Sequence, residues 1–282
     1  MSRVAVVGAG TMGNGIAHVF AQAGWDVALV DLAPEALDRA MKTIATNIEK
    51  LVRKGVGSRE SGVGTLARIK PSTSFDAVKG ADILVEAVIE NPTIKFEVLA
   101  AVSRLLAPNA ILASNTSSIS ITEIAKHTDR PDRVIGMHFM NPVPVMQLVE
   151  IIRGKETSSD TVKKTVDVAK ALGKTPVEVN DAPGFVSNRV LMPMINEAIF
   201  CVQDGVATPE AVDQVMKLGM SHPLGPLALA DLIGLDVCLS IMKVLQDGLD
   251  KQKYRPAPLL EKMVAEGQLG RKSGRGFYAY RD

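Results

Sequence analysis

The stretch that decides the fold lies near the start of the chain and reads Val4-Ala5-Val6-Val7-Gly8-Ala9-Gly10-Thr11-Met12-Gly13. An apolar, strand-like run leads straight into a Gly-x-Gly-x-x-Gly turn, and a helical pattern follows over residues 14–23. Gly8 permits the tight turn, Gly10 lets the backbone approach a pyrophosphate, and Gly13 lets helix and strand pack closely. The helix N-terminus, with Thr11 and Met12, offers N–H groups and a favourable dipole to phosphates. The stretch predicts a dinucleotide-binding strand, turn and helix.

The acidic residue that such a site requires ends the next strand-like run, Asp26–Asp31. The carboxylate of Asp31 can accept hydrogen bonds from both ribose hydroxyls and would repel a 2′-phosphate. The strand, turn, helix and carboxylate together predict NAD, rather than NADP, as the cofactor.

Short β-branched runs alternate with helical patterns through the first two thirds of the chain, which is typical of βαβ units and a mostly parallel sheet. The predicted strands are Arg3–Val7, Asp26–Asp31, Ile83–Ala87, Ile111–Ser114, Val134–His138, Gln147–Arg153 and Thr175–Val179. After the second strand, a long helix over Pro34–Lys54 leads into a Gly/Ser-rich loop, Gly55–Gly64. This insertion should project from the sheet of a Rossmann-type α/β domain.

The pattern changes after Asp181-Ala182-Pro183-Gly184. Residues 185–205, 208–217 and 226–247 all show a helical pattern, and strand-like runs disappear. We therefore expect two domains: an NAD-binding Rossmann domain over residues 1–183 and an all-helical domain over residues 184–282.

Composition narrows the class of protein. A net charge of +1 argues against a nucleic-acid partner or a membrane-surface protein, because no global basic field attracts polyanions. Cys201 and Cys238 are too few for a disulfide framework and form no metal-binding pair, so we predict no metal. No apolar stretch approaches membrane-spanning length, and the first strand begins too early to leave room for a signal peptide. We expect a cytoplasmic protein.

Five motifs appear in an order that resembles one family: Gly8 to Gly13, Glu90-Asn91, Ser114-Asn115-Thr116-Ser117-Ser118, His138-Phe139-Met140-Asn141-Pro142 and Gly184-Phe185-Val186-Ser187-Asn188-Arg189. Together they resemble the 3-hydroxyacyl-CoA dehydrogenases, in particular the short bacterial 3-hydroxybutyryl-CoA dehydrogenases. The likeness continues to the glycine-rich tail at residues 270–278. It implies interconversion of (S)-3-hydroxyacyl-CoA and 3-oxoacyl-CoA with NAD, on a Rossmann domain with an inserted helix pair and a helical substrate domain that forms a homodimer.

The resemblance gives His138 the role of acid–base group. Oxidation of a secondary alcohol requires a base near neutral pH, and histidine suits that task. His138 ends an apolar strand-like run at the edge where open α/β sheets bind ligands, although a strand-end histidine alone is more often structural. The family pairs this histidine with a carboxylate that matches Glu150. From the residues alone, Glu150 could equally be a surface residue of an edge strand.

Other site residues also come from the resemblance. Ser117 matches a serine that hydrogen-bonds the substrate's 3-oxygen, and helix capping can be assigned instead to the box that Ser120 forms with Glu123. Asn188 matches an asparagine that binds the acyl portion, with closure between the domains assembling the site. The remaining implied cofactor contacts are Glu90, Lys95, Asn115, Ser117, Asn141 and Lys272. Ordinary alternatives stay open: an ion pair at a helix start for Glu90 and Lys95, a turn for Asn141 and a solvated charge for Lys272.

A basic cluster on the inserted helix could bind the coenzyme A phosphates. Lys50, Arg53 and Lys54 are spaced at i, i+3 and i+4, which places three positive charges on one helix face. The family binds coenzyme A in this region, while a solvated helix face is the ordinary alternative.

Other functions remain possible at this point. The L-gulonate 3-dehydrogenases and lambda-crystallins show the same pattern, and activity without coenzyme A would favour them. The 6-phosphogluconate and 3-hydroxyisobutyrate dehydrogenases fit less well, because the motif that begins at His138 does not suit their lysine-based site. A non-catalytic NAD-binding protein is the alternative from another class, and the intact set of site residues argues against it.

Overall fold

The computed structural model describes residues 2–280 and divides into two compact units, of which the first ends at Ala182 and the second begins at Pro183. Each unit has its own hydrophobic core. No helix in the described residues is long and apolar enough to cross a membrane.

An eight-stranded sheet forms the centre of the first unit. Its strands are β1 (Arg3–Val7), β2 (Asp26–Val30), β3 (Ile69–Ser72), β4 (Ile83–Glu86), β5 (Ile111–Ser114), β6 (Val134–Phe139), β7 (Leu148–Arg153) and β8 (Thr175–Asn180). The strand order is β3-β2-β1-β4-β5-β6-β7-β8, and every pair is parallel except β6 and β7. The inner strands are continuous apolar runs because helices cover both faces of such a sheet. The predicted mostly parallel, Rossmann-type sheet is confirmed.

The helices of the first unit are α1 (Thr11–Gln22), α2 (Pro34–Arg53), α3 (Arg59–Arg68), α4 (Pro92–Ser103), α5 (Ile121–Lys126) and α6 (Ser159–Ala171). Helix α1 buries Ile16 and Phe20 completely in the core next to the sheet. Its His18 is also buried, lines a cavity of about 480 Å³ with residues of α2 and α3, and has no hydrogen-bond partner on either ring nitrogen within the described residues. Burial, together with the positive charge of Lys174, lowers the pKa of His18 to about 4.

The insertion after β2 is a helical hairpin, α2 and α3, as expected from the family. The predicted loop over Gly55–Gly64 is wrong in its second half, because α3 already begins at Arg59. Ser58 and Ser61 form a reciprocal capping box that starts this helix. Gly62 lies where a Cβ atom would collide with Ile48, so the glycine permits close packing of the two helices rather than a flexible loop. The following strand β3 was not predicted.

The second unit contains helices α7 (Ser187–Gln203), α8 (Pro209–Gly219), α9 (Pro226–Ile233), α10 (Leu235–Gly248) and α11 (Pro258–Ala265). The all-helical character predicted for this part of the chain is confirmed. The single helix predicted over 226–247 is wrong, because Gly234 has a φ of 106° and separates α9 from α10. The first helix starts at Ser187 rather than Phe185, since Phe185 has a φ of 50°.

Two buried carboxylates fasten the C-terminal segment to this helical unit. Asp213 accepts hydrogen bonds from the N–H groups of Leu227 and Ala228 at the start of α9 and from the hydroxyl of Tyr278 (2.8 Å). Asp231 accepts from the Tyr280 hydroxyl and from two backbone N–H groups of the same segment. The segment is therefore part of the folded unit.

Candidate active site

The glycine turn between β1 and α1 has the geometry that a pyrophosphate requires. Gly8 has a φ of 102°, and a Cβ atom there would collide with the backbone after β4. A Cβ atom on Gly13 would collide with the carbonyl of Gly8, so helix and strand approach closely only without a side chain. Gly10 is exposed, and the space around it is open, which leaves the backbone accessible. Thr11, also exposed, and Met12 open α1 beside it.

Asp31 lies beside this turn and is held by the backbone. Its carboxylate accepts a hydrogen bond from the N–H of Ala9 (2.8 Å) within the turn and another from the N–H of Ala33 (3.0 Å). The carboxylate is therefore oriented before any ligand binds, and it directly follows β2, where the acid that binds a ribose is expected. The turn and this acid together fit the adenosine half of NAD.

A cluster of one cation and two anions occupies the end of β4. The ammonium of Lys95, on α4, lies 2.8 Å from Glu86 Oε1 and 3.2 Å from Glu90 Oε2. Lys95 and Glu86 are fully buried, whereas Glu90 is partly exposed. Burial alone would raise the pKa of Glu90, but the charge of Lys95 and hydrogen bonds from the loop after β5 hold it below its ordinary value.

Glu90 binds the loop that follows β5 through several hydrogen bonds. Its Oε1 atom accepts hydrogen bonds from the Thr116 hydroxyl (2.6 Å) and from the backbone N–H groups of Ser117 (2.9 Å) and Ser118 (3.0 Å). The hydroxyl of Ser117 lies 3.3 Å from the same oxygen. Ser117 is half-buried at the carboxyl edge of the sheet. Helix capping is the task of Ser120, which accepts a hydrogen bond from the N–H of Glu123 and donates one to Asp181.

His138 and Glu150 face each other across two antiparallel strands. They are direct partners in the register of β6 and β7, and His138 Nδ1 lies 2.8 Å from Glu150 Oε2. Only 8% of His138 and 2% of Glu150 are exposed. The interpretation of Glu150 as a surface residue of an edge strand is wrong, because β7 lies between β6 and β8 and the side chain is buried. Asn115 supports the pair, since its Oδ1 accepts a hydrogen bond from the N–H of Phe139 (2.9 Å), next to the histidine.

The other predicted residues lie just after β6, at the end of α2 or in the second unit. Asn141 is exposed just after β6. Asn188 is buried in the first turn of α7, and Lys272 pairs with Asp236 at 2.7 Å. The basic residues Lys50, Arg53 and Lys54 lie side by side, all exposed, at the end of α2. Arg53 also has an acidic neighbour, Glu49, at 3.8 Å.

One residue of the site, Glu86, was missed from the sequence. Glu86 is completely buried, and its second oxygen accepts a hydrogen bond of 2.6 Å from the hydroxyl of Ser114 at the end of β5. A signal was present, because Glu86 ends the apolar run Ile83-Leu84-Val85, and a carboxylate is almost never buried without partners. Its partners, however, come from β5 and α4, which the run itself does not reveal.

Comparison with known proteins identifies the family of this chain. Profiles of the 3-hydroxyacyl-CoA dehydrogenase family match residues 3–182 as its NAD binding domain and residues 184–280 as its C-terminal domain. A probable 3-hydroxybutyryl-CoA dehydrogenase of Bacillus subtilis is 55% identical over 282 residues, covering 100% of this chain and 98% of the relative. The 3-hydroxybutyryl-CoA dehydrogenase of Clostridioides difficile is 48% identical and covers 99% of both chains.

Among solved structures, an (S)-3-hydroxybutyryl-CoA dehydrogenase from Ralstonia eutropha superposes with a TM-score of 0.97 at 50% identity, covering 100% of both chains. The family resemblance and the NAD cofactor predicted from the sequence are thereby confirmed. The chain belongs to the 3-hydroxyacyl-CoA dehydrogenase family.

Proposed function

We propose that this protein is an NAD-dependent dehydrogenase that interconverts (S)-3-hydroxybutyryl-CoA and acetoacetyl-CoA. The observation that carries the proposal is the buried His138–Glu150 pair at the same carboxyl edge of the sheet as the glycine turn. The names of the relatives support this substrate class and give no support to a sugar acid.

In the direction of oxidation, His138 removes the proton of the substrate's 3-hydroxyl group. Glu150 accepts a hydrogen bond from the Nδ1–H group, which leaves Nε2 to face the substrate and stabilises the imidazolium that forms when Nε2 takes up the proton. In the reverse direction the imidazolium returns this proton to the 3-oxygen. When bound, NAD supplies the acceptor for the hydride.

Ser117 and Asn188 are the proposed substrate contacts. The hydroxyl of Ser117 donates a hydrogen bond to the 3-oxygen and steadies the negative charge that develops there during reduction. Asn188 is the proposed partner of the acyl group. Ser117 lies in the loop after β5, where Glu90 binds its backbone N–H, and Asn188 is buried in the first turn of α7.

The proposed cofactor site consists of Gly8, Gly10, Thr11, Met12, Gly13, Asp31, Glu90, Lys95, Asn115, Ser117, Asn141 and Lys272. Within this set, Lys95 is buried between two carboxylates and Asn115 bonds the backbone of β6, so both act by holding neighbouring groups. The turn residues bind the pyrophosphate and Asp31 the adenosine ribose.

We propose that Lys50, Arg53 and Lys54 hold the phosphates of coenzyme A. Their exposure and their common position at the end of α2 suit a flexible polyanionic ligand. In a Lys50→Ala/Lys54→Ala variant, KM for the thioester should rise while KM for NADH stays unchanged. A Lys163→Ala/Lys164→Ala variant on α6 removes the same charge and should leave both constants unchanged; an unaltered KM in the first variant would exclude this role.

We propose further that the protein is a cytoplasmic homodimer assembled through its helical unit. Exposed apolar side chains on α7, α8, the turn after α8 and α9 support this surface: Val190, Val215, Leu218, Met220 and Leu232. Light scattering after size-exclusion chromatography should give twice the chain mass, and a monomer would rule the dimer out.

The function is tested by following the loss of NADH absorbance with acetoacetyl-CoA. Free acetoacetate, L-gulonate with NAD, and a His138→Ala variant are the controls. Turnover that needs the thioester and collapses in the variant supports the proposal. Turnover of L-gulonate alone would instead indicate a sugar-acid dehydrogenase, and NADH binding without turnover a non-catalytic protein.

A further inference from the structure

Glu86 is a buried carboxylate that none of the roles above uses directly. It accepts three hydrogen bonds: from the Lys95 ammonium (2.8 Å), from the N–H of Val88 (2.7 Å) and from the Ser114 hydroxyl (2.6 Å). A charge removed from water in this way is costly unless it is paired and fully hydrogen-bonded. This buried charge lies at the carboxyl edge of the sheet, beside the glycine turn.

Two paths lead from Glu86 to the loop that carries Ser117. Along the first, Glu86 holds Lys95, which lies 3.2 Å from Glu90, and Glu90 accepts the N–H of Ser117. Along the second, Glu86 fixes Ser114, whose hydroxyl oxygen accepts the N–H of Thr116 at 3.3 Å. The loop is therefore held on both sides of Thr116 by groups that depend on one carboxylate.

We propose that Glu86 is a positioning residue that sets the orientation of the Ser117 hydroxyl toward the substrate's 3-oxygen. This inference rests on the proposed role of Ser117. The negative charge matters because it shares the Lys95 ammonium with Glu90, which Lys95 contacts through Oε2, while Oε1 accepts the loop's N–H groups and the hydroxyls of Thr116 and Ser118. Without the charge of Glu86, the ammonium would be neutralised by Glu90 alone and would draw that carboxylate away from the loop.

Glu86→Gln keeps the size of the side chain and removes its charge. The Ser117 hydroxyl remains but is displaced, so we expect kcat for acetoacetyl-CoA reduction to fall about tenfold, less than the hundredfold or so expected for Ser117→Ala. The KM for the thioester should change by less than about threefold, because a contact made mainly in the transition state is affected.

A double-mutant cycle tests the mechanism. If Glu86 acts through Ser117, adding Glu86→Gln to Ser117→Ala should lower kcat by less than about twofold further. Thr157→Val is the matched control, because it removes buried hydrogen bonds to Val134 and Gly154 in the same sheet without approaching the site. Thr157→Val should change kcat by the same factor in the wild-type protein and in Ser117→Ala. If Glu86→Gln does not fold, Ser114→Ala interrupts the second path and should show the same coupling.

The outcomes separate the claims. If the wild-type protein has no thioester turnover, the proposed function itself fails. If Ser117→Ala leaves kcat unchanged, the role of Ser117 fails, and the inference with it. If Ser117→Ala behaves as expected but Glu86→Gln lowers kcat by the same factor in both backgrounds, only the role of Glu86 is overturned.

Discussion

Replacing Glu150 with glutamine removes one negative charge from the buried pair with almost no change in shape. The amide can still accept a hydrogen bond from His138 Nδ1, so the ring should keep its orientation. What is lost is the charge that stabilises the imidazolium, over a distance of 2.8 Å and with both side chains shielded from water. A hydrogen bond to a charged group of this kind contributes about 1.5–3 kcal/mol. At about 1.4 kcal/mol for each factor of ten, kcat should fall roughly 10- to 150-fold.

The assay is reduction of acetoacetyl-CoA at saturating thioester and NADH, with the thermal unfolding temperature measured in parallel. Glu178→Gln is the matched control, since it makes the same change on β8, at a partly exposed ion pair with Arg153. A Glu150→Gln protein that folds normally and retains kcat within about twofold of the wild type would refute the assigned pairing.

Three further predictions concern cofactor choice and stability. Asp31→Ala should raise the dissociation constant of NADH about 10- to 100-fold, and it should reduce the preference for NADH over NADPH. Fluorescence titration measures both dissociation constants. Burial and the charge of Lys174 lower the pKa of His18 to about 4. Between about pH 6.5 and 4, this histidine is therefore protonated in the unfolded chain but neutral in the folded chain. The free energy of unfolding of the wild type should fall by about 3 kcal/mol as the pH falls through that window, and it should fall less in His18→Leu. Urea denaturation at a series of pH values measures both; an equal fall in the two proteins would contradict this role of His18. Tyr278→Phe removes the donor to buried Asp213 and should lower the free energy of unfolding by about 1–2 kcal/mol, whereas an unchanged urea midpoint would indicate that water replaces the hydroxyl.

Local chemistry explains which parts of the fold could be predicted. The glycine turn and Asp31 are recognisable because each residue type is demanded by the backbone or the ligand at that position. Helix α3 was not predicted because its capping box uses Ser61 where glutamate or glutamine is usual. The glycines of this stretch also indicate a loop. The break at Gly234 escaped because a single glycine is tolerated within a helical pattern, and only the backbone angle distinguishes the two cases.

The site divides in the same way. His138 and Glu150 could each be assigned to a strand, but nothing in the two runs indicates that the strands are antiparallel or that these residues are directly opposite. The burial of Lys95 between two carboxylates is likewise a property of three elements that meet at the sheet edge. Periodicity describes one element at a time, so contacts among elements required either the structure or the family resemblance.

Because β6 and β7 pair directly, the geometry of the acid–base pair does not depend on the segment that connects the two strands. Residues 140–147 join the two strands, while the distance between His138 and Glu150 is set by the hydrogen-bonded ladder. Changes in this segment, outside Asn141 and the buried Val143, can therefore occur in evolution without moving the proton-transfer group. Substrate preference could then diverge along this segment among descendants of one ancestor, each inheriting the same chemistry unaltered.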